Sequence, residues 1–197
     1  MPKTKKLNNE NAKFVLNAII ASLEYFNFRK IEYSGFSIET KSDADFNIRR
    51  GKSGLGSSAA VTVAVVAALF KSFASSVGLD TIHKVAQLAH AKAQNKVGSG
   101  FDVASACYGG ISYIRYNPEL LKLDNFNFSN LDCEIKKVAL PEKFHLVFAS
   151  FPEESMSTTN AVSKVMEFKK NEPVSYNSII DALNVENKKA IDKIEEK

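Results

Sequence analysis

The sequence predicts an α+β fold in which long helices and shorter strands do not follow a regular strand–helix–strand order. Two observations lead to this prediction. Apolar residues recur at three- and four-residue steps in long segments, as they do on the buried face of a helix. A loop rich in glycine and serine also leads directly into a long apolar segment, whereas the strand-like patterns are short and lie elsewhere in the chain.

The first 40 residues are predicted to form one helix and one strand. Asn8–Phe28 has the three- and four-residue spacing of an amphipathic helix. Ile31–Thr40 alternates between apolar and polar residues, which is the pattern of a strand with one buried face. We expect Tyr33, Phe36 and Ile38 to point toward the core from that strand.

The middle of the chain is predicted to hold two helices after a polar, turn-rich segment, Lys41–Arg50. Ala59–Phe70 is apolar nearly all round, so we expect a helix that is buried on most sides. Asp80 is expected to cap a further helix that runs to about Lys96. Gly98-Ser99-Gly100 then ends that helix.

The remainder of the chain begins with the short segment Phe101–Tyr108, which is rich in small residues. Three strands are predicted after it, namely Ile111–Tyr116, Cys133–Val138 and Phe144–Ser150. Two helices follow, Ser157–Lys169 and Ser175–Glu196. The order of all these elements therefore predicts an α+β fold.

Composition argues against several classes of protein. The 197 residues can bury a sizeable core, and the net charge of +4 comes from lysines spread along the chain. We therefore expect no nucleic-acid partner. The longest apolar run, Ala59–Phe70, is shorter than the roughly 20 residues of a membrane span, so we expect no membrane partner and a cytoplasmic location. Cys107 and Cys133 lack C-x-x-C spacing and are predicted to be reduced thiols.

The most informative stretch is Gly54-Leu55-Gly56-Ser57-Ser58-Ala59-Ala60, here called the Gly–Ser loop. Glycines allow a positive φ and a close approach to a ligand. A helix that starts directly after them directs free N–H groups at that ligand and favours negative charge there. The alternative is a tight turn with serine caps. The neighbouring Gly51-Lys52-Ser53 is not part of a Walker A motif, because Phe46 stands where that motif requires glycine.

A second segment, Ser99–Asp102, places a carboxylate directly after a Gly-Ser-Gly turn. Phosphoryl transfer requires a protein to position the acceptor, neutralise phosphate charge and orient or deprotonate the attacking group. A carboxylate at the start of a helix of small residues suits the last of these tasks. The alternative interpretation of Asp102 is a helix cap.

Both segments resemble one protein family. Lys52–Ala60 is similar to the ATP-binding motif of the GHMP kinases. Ala89–Ala104 resembles the phosphomevalonate kinase branch of that family in fungi and plants, whose pattern is A-H-x-x-A-Q-G-K-x-G-S-G-F-D-V-A. The two blocks stand in the same order as in the family, and weaker similarity extends from Asn8 to the end of the chain.

The resemblance implies a GHMP-kinase-like fold, with an N-terminal domain of the ribosomal protein S5 domain 2-like type that is incomplete at both ends. It implies ATP and Mg²⁺ as cofactors and 5-phosphomevalonate as the small-molecule substrate. The residues implied to bind the nucleotide are Lys52, Gly54, Leu55, Gly56, Ser57, Ser58, Ala59 and Ala60, with Ser58 also on the metal. Those implied to bind substrate are Lys96, Gly98, Ser99 and Gly100, and Asp102 is implied to be catalytic.

Some features depart from the family pattern. The glutamate that binds Mg²⁺ in mevalonate kinases stands eleven residues before the catalytic aspartate, where this chain has Ala91. The P-G-K segment and the C-terminal P-G-A-G-G motif of the family have no match, so the chain is expected to be a fragment. Residues 1–156 are predicted to form the ATP-binding domain without its first strands, and 157–197 the start of the C-terminal domain. The missing remainder of the enzyme is then an expected partner.

Three alternatives remain open at this stage. The chain could be a non-catalytic, nucleotide-binding GHMP-fold protein or a GHMP kinase with another small-molecule substrate. Lys96 could be a solvated lysine at a helix end. His90 is interpreted as a packed structural histidine, and no partner can be identified for His83.

Overall fold

A computed structural model describes residues 12–41, 56–74, 76–95, 98–121, 131–139, 142, 145 and 158–195. The chain divides into two compact units. The first unit comprises residues 1–42 and 54–137, and the second comprises residues 43–53 and 138–197. The predicted turns of Lys41–Arg50 lie outside the described residues except for Lys41.

Four α-helices lie in the described part of the first unit. They are α1 (Lys13–Arg29), α2 (Ser57–Phe73), α3 (Leu79–Gln94) and α4 (Phe101–Tyr108). Helices α1, α2 and α3 all pack on one another, and α4 packs on α2 and α3. The helices predicted from apolar spacing are therefore confirmed within the described residues. Residues 8–11, which were predicted to begin the first helix, are outside them.

The core of the first unit combines aromatic rings with small side chains. Phe26 and Phe70 are fully buried, with ring centroids 4.9 Å apart. On α3, Ala86 and Ala89 are buried and allow the neighbouring helices to approach closely. Burial of a phenylalanine side chain contributes about 1.5–3 kcal/mol, so this aromatic pair is a main source of stability for the helical unit.

Two short strands complete the first unit. β1 (Ile111–Ile114) and β2 (Glu134–Lys137) pair antiparallel, with Ile111 opposite Lys137 and Ile114 opposite Glu134. Both strands lie inside segments that the sequence predicted to be strands. The third predicted strand in this part of the chain, Phe144–Ser150, lies outside the described residues apart from His145.

The strand predicted for Ile31–Thr40 is wrong, because these residues form no strand. Within the described residues, the only sheet is the β1–β2 pair, so no strand lies beside this segment to complete a ladder. Aromatic side chains attach it to the helices instead. The rings of Tyr33 and Phe36 lie 6.5 and 5.7 Å from that of Phe73, although both side chains stay partly exposed. Ile38 packs against the core, as predicted.

The predicted cap at Asp80 is also wrong. Helix α3 begins at Leu79, and Gly78 is its N-cap, with the extended backbone (φ −72°, ψ 158°) that this position requires. Asp80 lies in the first turn, where its charge favours the helix dipole. Its carboxylate accepts a hydrogen bond from the Tyr108 hydroxyl at 2.6 Å, which ties the start of α3 to the end of α4.

The second unit contains the helices α5 (Thr158–Asn171) and α6 (Pro173–Glu195), which pack on each other. Both helices were predicted. Pro173 starts α6, a position where its missing N–H costs nothing. The rings of Phe168 and Tyr176 lie 6.4 Å apart across the junction. In the part of the chain that the structure describes, none of the helices has the length and apolar character needed to cross a bilayer.

Candidate functional site

The described part of the Gly–Ser loop forms the start of helix α2. Gly56 is the N-cap and has a left-handed backbone (φ 71°), a conformation that favours glycine. Ser57, Ser58, Ala59 and Ala60 make up the first turn; the N–H of Ala60 donates to the Gly56 carbonyl at 3.0 Å, whereas those of Ser57, Ser58 and Ala59 have no partner within the helix. The backbone at this point therefore suits an anion. Lys52, Gly54 and Leu55 lie outside the described residues.

Asp102 lies next to this helix start. A Cβ atom built on Gly56 would lie only 3.8 Å from the Cβ of Asp102. The carboxylate is half-buried, with 29% of its side chain exposed, and Oδ1 accepts a hydrogen bond from the Val103 N–H at 2.9 Å. Packing of α4 on α2 therefore brings together two segments that are far apart in the sequence.

His90 of α3 connects the two segments. Its Nε2 lies 3.2 Å from the Ser58 hydroxyl, 3.4 Å from Nε2 of Gln94 and 3.8 Å from Oδ2 of Asp102. The ring packs on Phe14 at 5.2 Å between centroids. Burial lowers the pKa of His90, and the Asp102 carboxylate opposes that shift to a smaller extent. The uncharged ring can then accept a hydrogen bond from Ser58.

The sequence interpretation of His90 as a packed histidine is confirmed, but it is incomplete. The buried ring does pack on Phe14, and it also contacts the Gly–Ser loop and Asp102 through one nitrogen. Sequence reasoning missed this contact because it joins three helices. The available signal was the position of His90 within the second motif, one helical turn before Gln94.

Residues 98–100 form a turn, here called the 98–100 turn. Side chains hold it by donating hydrogen bonds to its backbone carbonyls. The carbonyl of Gly98 accepts from Arg115 at 2.7 Å, and that of Ser99 accepts from the Tyr113 hydroxyl at 3.3 Å. The carbonyl of Gly100 accepts from Nε2 of Gln87 at 2.7 Å. Three of the four residues predicted to bind substrate therefore form one anchored turn, whereas Lys96 lies outside the described residues.

Gln87 is the buried centre of that anchorage. Its Nε2 also lies 2.9 Å from Nε2 of His83, and its Oε1 accepts from the Tyr116 hydroxyl at 3.4 Å. Burial lowers the pKa of His83 to about 4, so the ring is uncharged near neutral pH and can accept from Gln87. Sequence reasoning found no partner for His83 and did not identify Gln87. Their four-residue spacing on one helix was the only signal.

Gly100 fits this arrangement only as glycine. Its φ is 75°, and a Cβ atom at this position would lie 2.5 Å from Oε1 of Gln87. The residue is the N-cap of α4, and its carbonyl also accepts from Ala104 at 3.0 Å. The next residue, Phe101, has 60% of its surface exposed beside Asp102.

Burial keeps the nearby tyrosine and cysteine side chains protonated. It raises the pKa of Tyr116 to about 12 and also raises the pKa of Tyr113. Both hydroxyls can therefore donate hydrogen bonds near neutral pH. Burial raises the pKa of Cys107 to about 12 and also raises that of Cys133, and both residues are free thiols, as predicted.

Two described side chains carry oxygen atoms that are suitable ligands for Mg²⁺. Ser58 and Asp102 offer hard oxygen atoms, and both lie beside Nε2 of His90. Among the described residues, no group of three or more His, Cys, Asp or Glu side chains could hold a metal ion. Kinase sites commonly bind Mg²⁺ with one or two protein oxygens and complete its coordination with substrate phosphates and water. A hydroxyl and one carboxylate fit that pattern.

This site and its helices define a class of protein. Residues 13–110, about half of the chain, match the family model described as GHMP kinases N terminal domain. The chain belongs to the GHMP kinase family, and the predicted α+β GHMP-kinase-like fold is confirmed.

Individual named proteins are also similar to this chain. The phosphomevalonate kinase of Candida albicans is 35% identical over 155 residues, covering 69% of this chain and 36% of that protein. The phosphomevalonate kinase of Saccharolobus solfataricus is 44% identical over 98 residues, covering 50% of this chain and 30% of that protein. The chain therefore spans about a third of the length of these relatives.

A solved structure is also similar. The crystal structure of a Lin0012 protein from Listeria innocua matches with a TM-score of 0.81 and 27% sequence identity. The match covers 100% of this chain and 58% of that chain. The similarity is therefore one of fold as well as of motifs.

Proposed function

We propose that this chain is part of an ATP-dependent phosphomevalonate kinase, which converts 5-phosphomevalonate to 5-diphosphomevalonate in the mevalonate pathway. The names of the Candida albicans and Saccharolobus solfataricus relatives support this assignment. The observation that carries it is the short distance between Gly56 and Asp102, because a Cβ atom on Gly56 would lie 3.8 Å from that of Asp102. A helix start suited to phosphate thus has a carboxylate beside it.

The nucleotide is held by the Gly–Ser loop and by Lys52. In this proposal Gly54, Leu55 and Gly56 bring the backbone close to the phosphates, and Ser57 donates a hydroxyl hydrogen bond to them. Ser58, whose hydroxyl donates to His90, binds the nucleotide through the metal ion. Ala59 and Ala60 keep the first turn of α2 narrow. The left-handed backbone of Gly56 and the free N–H groups of the helix start support this assignment.

The acceptor is held by Lys96 and by Gly98, Ser99 and Gly100 of the 98–100 turn. An oxygen of its phosphate attacks the γ-phosphorus of ATP. A new P–O bond forms, the bond from the γ-phosphorus to the β,γ-bridging oxygen breaks, and ADP leaves. The second pKa of a phosphate monoester is about 6, so most acceptor molecules are already ionised at neutral pH. Asp102 orients the attacking oxygen and accepts any remaining proton.

Ser58 is the proposed protein ligand of Mg²⁺. The bound ion would supply neutralisation of the charge on the nucleotide phosphates. The uncharged His90 ring lies 3.2 Å from Oγ of Ser58 and orients that hydroxyl. This contact links the proposed metal ligand to the proposed acceptor site, because the same nitrogen lies 3.8 Å from Asp102.

The wider assignments follow from the same proposal. Residues 1–156 belong to the ATP-binding domain and residues 157–197 to the start of the C-terminal domain. The remainder of the enzyme is the expected protein partner. The product enters isoprenoid and sterol biosynthesis, and the protein acts in the cytoplasm.

The substrate assignment is tested with a coupled ADP-release assay on the intact gene product. Phosphomevalonate, mevalonate and homoserine are compared at equal concentrations. We expect turnover with phosphomevalonate at least tenfold above the other two, roughly what one or two charge-assisted contacts to the extra phosphate provide. Activity only with another acceptor would contradict the assignment. Nucleotide binding without turnover of any acceptor would favour the non-catalytic alternative.

The role of Asp102 is tested by Asp102→Asn, which preserves size and removes the charge. We expect kcat to fall about 10²- to 10⁴-fold, the usual contribution of a positioned acid or base, with little change in affinity for ATP. The matched control is Asp181→Asn, which alters an exposed carboxylate on α6 and should leave kcat unchanged. A variant at residue 102 that keeps more than about a tenth of the activity would exclude a catalytic role.

A further inference from the structure

Side chains from two different elements fix the backbone of the 98–100 turn. Its three consecutive carbonyls accept hydrogen bonds, in chain order, from Arg115 at 2.7 Å, Tyr113 at 3.3 Å and Gln87 at 2.7 Å. Tyr113 lies on β1, Arg115 directly follows it and Gln87 lies on α3. These three side chains are here called the anchoring residues. Each peptide unit of the turn is therefore held separately.

The same hydrogen bonds fix the direction of the N–H groups. The described peptide bonds are all trans, so the N–H of each residue points opposite to the carbonyl before it. The N–H groups of Ser99, Gly100 and Phe101 therefore point away from the anchoring residues. Within the described residues, none of these three N–H groups donates to another protein group. The last of the three belongs to Phe101, which directly precedes Asp102 in the chain.

The anchorage on the α3 side is rigid. Gln87 is buried, and contacts with His83 at 2.9 Å and Tyr116 at 3.4 Å fix its amide. Gly100 packs so closely on Gln87 that a Cβ atom would lie 2.5 Å from Oε1. A glutamine held on all sides cannot rotate away, so the turn cannot relax without disturbing the core.

We propose that Gln87, Tyr113 and Arg115 are positioning residues for the acceptor. They hold the 98–100 turn so that its N–H groups meet an anionic oxygen of the acceptor, a phosphate or a carboxylate, beside Asp102. The inference rests on the proposed function, since it needs an anionic acceptor at this turn. Donors that are fixed before binding lose little conformational freedom when the acceptor arrives, and they favour the geometry of the reaction.

The test uses two variants that spare the buried glutamine. Tyr113→Phe and Arg115→Met each remove one hydrogen bond to the turn, and Arg115 is exposed, so folding should be retained. We expect the KM for phosphomevalonate to rise about fivefold in each, the usual effect of one lost hydrogen bond, while the KM for ATP stays within about twofold. Arg115→Lys keeps a donor and should restore most of the loss.

Tyr108→Phe is the matched control. It removes the hydroxyl of a half-buried tyrosine that bonds Asp80 rather than the turn, so both KM values should remain unchanged. If Tyr113→Phe and Arg115→Met raise the KM for phosphomevalonate and the KM for ATP equally, these residues have a general structural role and the proposal is overturned. Unchanged KM values in both variants would also overturn it. If the unaltered enzyme does not turn over phosphomevalonate, the proposed function fails and this inference fails with it.

Discussion

At the scale of single residues, two glycines with positive φ should differ in their tolerance of a side chain. Gly100→Ala places a Cβ atom 2.5 Å from Oε1 of the buried Gln87 and also strains the backbone, so we expect a loss of about 3 kcal/mol in the free energy of unfolding. Gly56→Ala strains the backbone only and should cost about 1 kcal/mol. Urea unfolding followed by far-UV circular dichroism measures both.

The two variants serve as controls for each other, because each adds one methyl group at a left-handed N-cap. Equal losses would mean that Gln87 moves aside and that the 98–100 turn is anchored less tightly than its hydrogen bonds indicate. A smaller loss for Gly100→Ala than for Gly56→Ala would contradict the described geometry outright.

At the residue scale, the sequence identified two segments whose chemistry and spacing are distinctive. The Gly–Ser loop and Asp102 each suit phosphate chemistry, and the structure brings Gly56 and Asp102 together, while their roles stay predictions. Gln87 could not be identified in the same way. A glutamine on a helix has an ordinary role at the surface, and only the tertiary packing of α3 against the turn gives this one its partners.

At the scale of elements, the aromatic contact between α1 and α2 should dominate the stability of the helical unit. Phe26 is fully buried, with its ring 4.9 Å from that of Phe70 and 6.1 Å from that of Phe73. We expect Phe26→Ala to lower the free energy of unfolding by about 3–5 kcal/mol, because it leaves a cavity that the helices cannot close.

Phe28→Ala is the control for that experiment. This side chain lies two positions further along the same helix and is 60% exposed, so its loss should cost less than about 1 kcal/mol. Urea unfolding of both variants gives the comparison. Similar losses in the two variants would show that helix propensity, rather than the aromatic contact, sets the stability.

Helices were easier to predict than strands because a helix completes its hydrogen bonds within itself. Apolar spacing sufficed for α1, α2 and α3, and errors were confined to their ends, as with Asp80 in place of Gly78. The alternation in Ile31–Thr40 indicated which side chains could face the core, and Ile38 does so. It could not show whether a neighbouring strand exists to pair with the segment.

At the scale of the whole molecule, stability should fall as the solution becomes acidic. Burial lowers the pKa of His83 from 6.5 to about 4 in the folded protein; the nearby Asp80 carboxylate opposes this shift to a smaller extent, and the charge of Lys84 adds slightly to it. Between these values the unfolded chain binds a proton that the folded chain excludes. The free energy of unfolding therefore decreases by up to about 3 kcal/mol as pH falls from about 6.5 to about 4, and this contribution is constant above that range.

Urea unfolding at a series of pH values measures this slope, and His83→Gln tests its origin. The variant removes the titrating group and retains an amide that can bond Gln87, so the curve should become flatter between pH 6.5 and about 4. Burial lowers the pKa of His90 in the same direction, so His90 contributes to the slope that remains. An unchanged curve in the variant would exclude His83 as a source of the pH dependence.

Predicting the protein family from the sequence required several observations to be combined. Neither helix spacing nor a glycine-rich loop defines a family, but two motifs in the expected order did, and the match over residues 13–110 agrees. The division of the chain at residue 156 stays a prediction. It was drawn from sequence similarity alone, whereas the compact units of the structure follow contacts between distant parts of the chain.

The exposed ring of Phe101 has a practical consequence. The 197 residues include no tryptophan, so Phe101→Trp would introduce the only indole of the chain directly beside Asp102. Because 60% of the native side chain is exposed, the larger ring has room. Its fluorescence would arise from this one corner of the molecule, and the chain would then carry its own optical reporter of whatever binds there.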